Sequence, residues 1–159
     1  QTEGVVYSQG NVIDGFSLYV QDERLCFAHN AVGKSTIGSA SLPQTEGRMT
    51  IGVTFVYNPT GRGGVATLVC DGDSIGAVNV PMNRNAQKNG VDIGKDVLSP
   101  ITNLYQAPFA FTGLIYSVEV DILSRLFLNP RILTRPIFYG YVLQTVVNYW
   151  MLSMYPVRK

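Results

Sequence analysis

Arg48-Met49-Thr50-Ile51-Gly52-Val53-Thr54-Phe55-Val56-Tyr57 decides the fold. Met49, Ile51, Val53, Phe55 and Tyr57 alternate with Arg48, Thr50, Gly52 and Thr54. A period of two places the first set on one face of a pleated strand and the second on the other. The apolar face predicts a central strand of an antiparallel sheet, with that face turned to a core. Downstream, 58–64 is a loop containing Gly and Pro, and Val65 to Cys70 leads to Asp71-Gly72, a preferred pair for a type I′ turn. Ser74 to Val80 completes that hairpin. Upstream, Phe16, Leu18 and Val20 alternate with Ser17, Tyr19 and Gln21, and Asp22-Glu23 turns the chain into Leu25, Phe27 and His29. Beyond a polar, irregular stretch at 81–89, Leu114, Tyr116, Val118 and Val120 alternate with Ile115, Ser117, Glu119 and Asp121, which predicts the last strand. Short strands, turns about ten residues apart and no helical period before Ile122 predict an all-β fold, an antiparallel two-sheet sandwich. A closed barrel satisfies the same alternation.

The 159 residues suit one hydrophobic core. With 46% hydrophobic and 14% charged residues and a formal charge of +1, no global charge recruits nucleic acid. The asymmetry is local. Residues 1–122 carry seven basic and eleven acidic side chains, a formal −4, whereas 123–159 carry five basic side chains and no acid. The sequence opens on Gln1 without an initiator Met or an apolar signal region, so it is expected to be a fragment.

Catalytic templates find little to build on. There is one histidine, His29, so any Ser-His-Asp or Cys-His-Asn arrangement would depend on that ring, which is expected to be structural. Gly61-Arg62-Gly63-Gly64 lacks the frame of a phosphate-binding loop. Asp71, Asp73, Asp92 and Asp96 could be nominated as paired carboxylates, but turn chemistry accounts for the first two. Cys26 and Cys70 have no zinc-like spacing and are expected to be buried free thiols, with a bridge between them the alternative.

Gly15-Phe16-Ser17-Leu18-Tyr19-Val20, the hairpin into 25–30, Gly64-Val65-Ala66-Thr67-Leu68 with Asp71-Gly72, Asp92-Ile93-Gly94, and Pro108-Phe109-Ala110-Phe111-Thr112-Gly113 occur in this order. As an ordered set over residues 4–122 they resemble the C-terminal β-sandwich region of bacterial arylsulfatases, which belong to the alkaline phosphatase superfamily. The resemblance implies a concanavalin A-like or laminin-G-like jelly roll. It also implies a parent that hydrolyses sulfate esters with formylglycine and a divalent cation, calcium, both in an N-terminal catalytic domain. That domain would be the partner of this one, and no cofactor is expected in this chain. The family's formylglycine arises from Cys in C-x-P-x-R or C-x-A-x-R. Cys26-Phe27-Ala28-His29-Asn30 matches the Cys and the Ala but has Asn30 in place of Arg, so it is expected to be a coincidence. The function expected is therefore a non-catalytic accessory domain of a sulfuric ester hydrolase. The alternative is an independent laminin-G-like module that binds carbohydrate or protein, with or without calcium.

Folds of that type often hold calcium at a loop rim. Asp92 and Asp96 bracket Ile93-Gly94-Lys95 and are the metal candidates. Calcium takes six to eight oxygens, so further carbonyls would be needed; the competing expectation is a pair of solvated strand-end carboxylates. Tyr105 and Tyr57 are the contact candidates, as aromatic groups beside polar loop residues, with an interdomain contact favoured over glycan binding. Phe109 and Phe111 are expected to be core plugs.

Residues 123–159 depart from the family pattern. Within them 137–155 is a stretch of 19 residues without formal charge, close to the roughly 20 of a spanning helix. Pro136 and Pro156 bound it and Gln144 and Asn148 interrupt it, which disfavours membrane contact. A packing helix with Val142, Val146, Tyr149 and Met154 near one stripe is the second reading. A reading frame shifted past the end of the domain is the third.

Overall fold

The computed structural model describes residues 1–44, 47–58, 63–81, 90–97, 99–123 and 149–157; side chains are described except for Tyr57 and the residues from 121 onward. The described elements are all β: β1 (Gly4–Gly10), β2 (Gly15–Gln21), β3 (Arg24–Ala31), β4 (Lys34–Ser41), β5 (Ile51–Tyr57), β6 (Gly64–Cys70), β7 (Asp73–Val80), β8 (Val91–Ile93), β9 (Leu114–Leu123) and β10 (Tyr149–Val157). They form two antiparallel sheets ordered β4-β3-β2-β1-β8 and β7-β6-β5-β10-β9. The main core lies between these layers, where Leu18, Val20, Leu25 and Phe27 meet Ile51, Val53, Phe55 and Leu68. The fold is the predicted antiparallel β-sandwich, and β5 is central in its sheet. Its alternation is the reason. Met49, Ile51, Val53 and Phe55 all point into the core and are buried.

Two-residue turns set the hairpin registers. Asp22 and Glu23 have φ of 51° and 61° between the paired residues Gln21 and Arg24. Asp71 and Gly72 have φ of 50° and 90° between Cys70 and Asp73. Positive φ at both central positions matches the right-handed twist of the strands they join. Asp71 also fastens its turn to the start of β5: its N–H donates to the Thr50 carbonyl at 2.7 Å and its Oδ1 accepts the Thr50 N–H at 2.6 Å. Asp71→Ala should lower stability by about 1 kcal/mol, and Asp71→Asn by less because it keeps the acceptor. Urea unfolding would show a lower midpoint with an unchanged slope, and an unmoved midpoint would refute the fastening role.

A third hairpin, β3–β4, turns at Val32-Gly33, with Ala31 paired to Lys34. The sandwich narrows where β4 meets β7. There Gly38 leaves room for Val78, since a Cβ on Gly38 would lie 2.6 Å from Val78 Cγ1.

Two expectations are corrected. The first concerns β9, which is not the last strand, and whose core-facing residues change parity along its length. Leu114, Tyr116 and Val120 are exposed, whereas Ile115 and Val118 pack against the core. The cause is a bulge: Met154 of β10 pairs with Val118 and Pro156 with Ile115, so β9 holds one more residue than β10 across that interval. An extra residue reverses which side chains face inward. The second concerns the tail. Tyr149–Val157 is a strand between β5 and β9, not the end of a helix, so Tyr149 and Met154 do not lie on a helical stripe. Val142, Val146 and the rest of 124–148 lie outside the described residues. No described helix is long and apolar enough to cross a membrane.

Candidate functional site

β1, β2 and β3 are buried on both faces. Val6, Leu18, Leu25 and Phe27 face the main core, while Val5, Tyr19, Cys26 and Ala28 form a second apolar cluster with Ile101 and Tyr105. The segment that follows β8 covers that outer face, and backbone bonds hold it on the same edge of β1 that β8 pairs with. Gly94 N–H donates to the Val6 carbonyl at 3.0 Å, Val5 N–H to the Phe109 carbonyl at 3.0 Å, and Phe111 N–H to the Gly94 carbonyl at 2.8 Å. Thr112 N–H donates to the Glu3 carbonyl at 2.8 Å. Asp92-Ile93-Gly94 and Pro108 to Gly113, far apart in sequence, thus meet along one strand.

Tyr105 is the centre of this cover. It is 6% exposed, lies edge-on to Tyr19 with centroids 5.1 Å apart, and stacks on Phe109 at 5.4 Å. Its hydroxyl donates to Asp96 Oδ2 at 2.6 Å, accepts the Ile101 N–H at 3.3 Å, and lies 3.2 Å from Ser17 Oγ. Burial pushes the Tyr105 phenol well above its ordinary range, and the neighbouring Asp96 carboxylate adds to the rise. Asp96 is 3% exposed. Burial raises its pKa, opposed by the hydrogen bonds from Tyr105 and the Ile101 backbone, with Asp92 adding a smaller rise.

The candidates therefore stand as follows. Tyr105 is a core residue and not an exposed contact, because three polar groups and two rings enclose it. Asp96 is not a solvated strand-end carboxylate, because its Oδ2 is taken up by the Tyr105 phenol inside the fold. Asp92 is half-buried in the middle of β8, and its Oδ2 accepts the Val97 N–H at 3.3 Å. Among the described residues no group of three or more His, Cys, Asp or Glu is placed to hold a metal ion. Tyr57 ends β5 opposite Gly64, and its side chain lies outside the described residues. Phe109 and Phe111 are partly buried, one against each apolar cluster. Cys26 and Cys70 are free and buried, and burial raises both thiols, which keeps them protonated.

The end of the sandwich beyond β1 carries what the alternation missed. Asn30 Nδ2 donates to the Val12 carbonyl at 2.8 Å and the Ile101 carbonyl at 2.9 Å, joining the β1–β2 loop to the cover. Gly33 N–H donates to the Ile13 carbonyl at 2.8 Å, and Asp14 Oδ1 accepts the Val32 N–H at 3.0 Å. The two loops so joined display Val12, Ile13 and Val32, which are 54%, 56% and 72% exposed. Val32 has φ of 53°, and a β-branched residue there costs about 1–2 kcal/mol. Its turn is therefore held by tertiary bonds and not by local preference. The only sequence signal was the pairing of a large aromatic, Tyr19, with the polar face of β2. Elsewhere, the Arg48 guanidinium lies 4.1 Å over the Tyr116 ring on the second sheet.

The arrangement is thus a two-layer frame with a hydrogen-bonded cover, presenting aliphatic loop tips at one end. Comparison with models of known families, with curated proteins and with solved structures finds no match to this chain.

Proposed function

We propose that this chain is the C-terminal accessory domain of an arylsulfatase-like sulfuric ester hydrolase, non-catalytic by itself. It serves a separate N-terminal domain that carries the formylglycine and the divalent cation, calcium. The observation that most supports this reading is the meeting of its dispersed motifs. Gly15 to Val20 pairs along β1, and Asp92-Ile93-Gly94 and Pro108 to Gly113 are bonded to the other edge of that strand. Three segments of that ordered set are thus neighbours along β1, while Gly64 to Leu68 and Asp71-Gly72 lie in the second sheet. The alternative, a laminin-G-like binding module, loses Asp96 as a metal ligand, since its Oδ2 accepts the Tyr105 hydroxyl, and the burial of Tyr105 removes a contact candidate from both readings.

The test is to read the coding sequence on both sides of this segment in one continuous read. An in-frame C-x-P-x-R or C-x-A-x-R upstream is the expected result. A continuous frame without it would overturn the accessory role and leave the binding module.

A further inference from the structure

The β1–β2 loop, residues 11–14, and the β3–β4 turn meet at one end of the first sheet, and their backbone polar groups are bonded within the protein. Asn11 N–H donates to the Asp14 carbonyl at 2.9 Å, Ile13 and Asp14 N–H donate to Asn11 Oδ1 at 2.8 and 3.2 Å, and Val12 N–H donates to Ser99 Oγ at 3.3 Å. The Val12 carbonyl accepts from Asn30 and the Ile13 carbonyl from Gly33, while Asp14 Oδ1 accepts the Val32 N–H. What the two loops present outward is aliphatic, because Val12, Ile13 and Val32 are each more than half exposed. Val32 holds a left-handed position that Gly or Asn would adopt more easily. Packing does not offset that cost, since its side chain is the most exposed of the three.

Charge is segregated along the same axis. β2 is seven residues long, so the Asp22-Glu23 turn lies roughly 23 Å from the 11–14 loop. The Asp71-Gly72 turn is at that far end too. A Cβ on Gly38 would approach Val78 and one on Gly76 would approach Ala40, so Asp73 lies toward Ser41, the partner of Arg24. The exposed carboxylates of Asp22, Glu23, Asp71 and Asp73 therefore stand a strand's length from the tips, well beyond the screening length of about 8 Å. Beside the tips, Lys34 is exposed and Asp14 is half-buried.

We propose that this end docks on an anionic lipid surface, with Val12, Ile13 and Val32 entering the headgroup boundary and Lys34 facing the phosphates. Backbone enters that boundary at low cost only when its polar groups need no water, and those named above are bonded internally. Insertion of this kind uses a few aliphatic side chains, whereas a stable protein interface takes about 800 Å² per partner and is anchored by Trp, Tyr or Arg. Three aliphatic tips are too small a patch for the second. Valine at a left-handed position then has a purpose, since glycine there would leave the tip bare. The site does not depend on the accessory role.

Flotation of the full chain with phosphatidylcholine vesicles containing about 30% phosphatidylserine tests this. The unsubstituted protein should float with them, and part of the binding should survive about 0.5 M salt because apolar burial is not screened. Val32→Gly, which suits the left-handed backbone and keeps the turn, should lower the vesicle partition coefficient about fivefold to tenfold. Ile13→Ser should do the same, and Val32→Gly alone carries the test if circular dichroism shows the other variant unfolded. Equal binding by a folded variant would place the lipid contact elsewhere in the chain and overturn the proposal. So would absence of flotation, or binding wholly abolished by salt. A dimer in sedimentation without lipid that Val32→Gly dissociates would assign the tips to a second copy of the chain instead.

Discussion

Tyr105→Ala should cost about 3–5 kcal/mol, a large part of the roughly 5–15 kcal/mol that holds a domain of this size folded. Two effects add. The ring lost is enclosed by Tyr19 and Phe109, so its removal leaves a cavity under the cover. The hydroxyl lost is the donor to Asp96 Oδ2 at 2.6 Å, so a buried carboxylate loses its closest partner. Tyr105→Phe separates them: it keeps the ring and strands only the polar groups, at about 1–3 kcal/mol. Urea unfolding of the two variants beside the unsubstituted protein is the measurement. A loss below about 1 kcal/mol for Tyr105→Ala would show that the cover does not contribute to the cooperative unit.

Gly4→Ala is the second large effect, expected at about 3–5 kcal/mol, through the backbone instead of a side chain. Gly4 begins β1 with φ of 121°, a conformation that L side chains rarely adopt. A Cβ there would also land on the Ala110 carbonyl and on Phe111 Cα. Neither neighbour is the movable end of a side chain, so relief requires the strand and the cover to part. Gly72→Ala is the informative control. Its φ is 90°, but a Cβ would meet nothing within 4 Å, so only the conformational cost remains, about 1–2 kcal/mol. Thermal melts of the two variants should differ clearly, and equal losses would show that the approach of Ala110 to Gly4 contributes nothing.

Both predictions depend on parts of the molecule that alternation reaches unequally. The hairpins at Asp22-Glu23 and Asp71-Gly72 were legible, because alternating strands flank both and each turn opens on an Asp, which tolerates the positive φ a tight turn imposes. Val32-Gly33 was not, because valine opposes that conformation and its turn is held by Asp14 and Ile13 from another loop. Ser17 and Tyr19 read as the polar face of β2. They are buried because Tyr105, 88 residues from Ser17, lies over them. Asp96 read as a carboxylate open to solvent or calcium for the same reason: the phenol that occupies it arrives from nine residues on, in an irregular segment without periodicity.

By itself the sequence determined the all-β class, the central place of β5 and the registers of two hairpins, since a period of two and the chemistry of tight turns act between near neighbours. Tertiary structure alone decided that the first sheet is covered on its outer face, that β9 reverses its inward set across a bulge, and that β10 lies between β5 and β9. Each of those outcomes depends on which distant segment reaches a given face or edge first. Local alternation shows that a strand has two faces and leaves open what will come to cover the second.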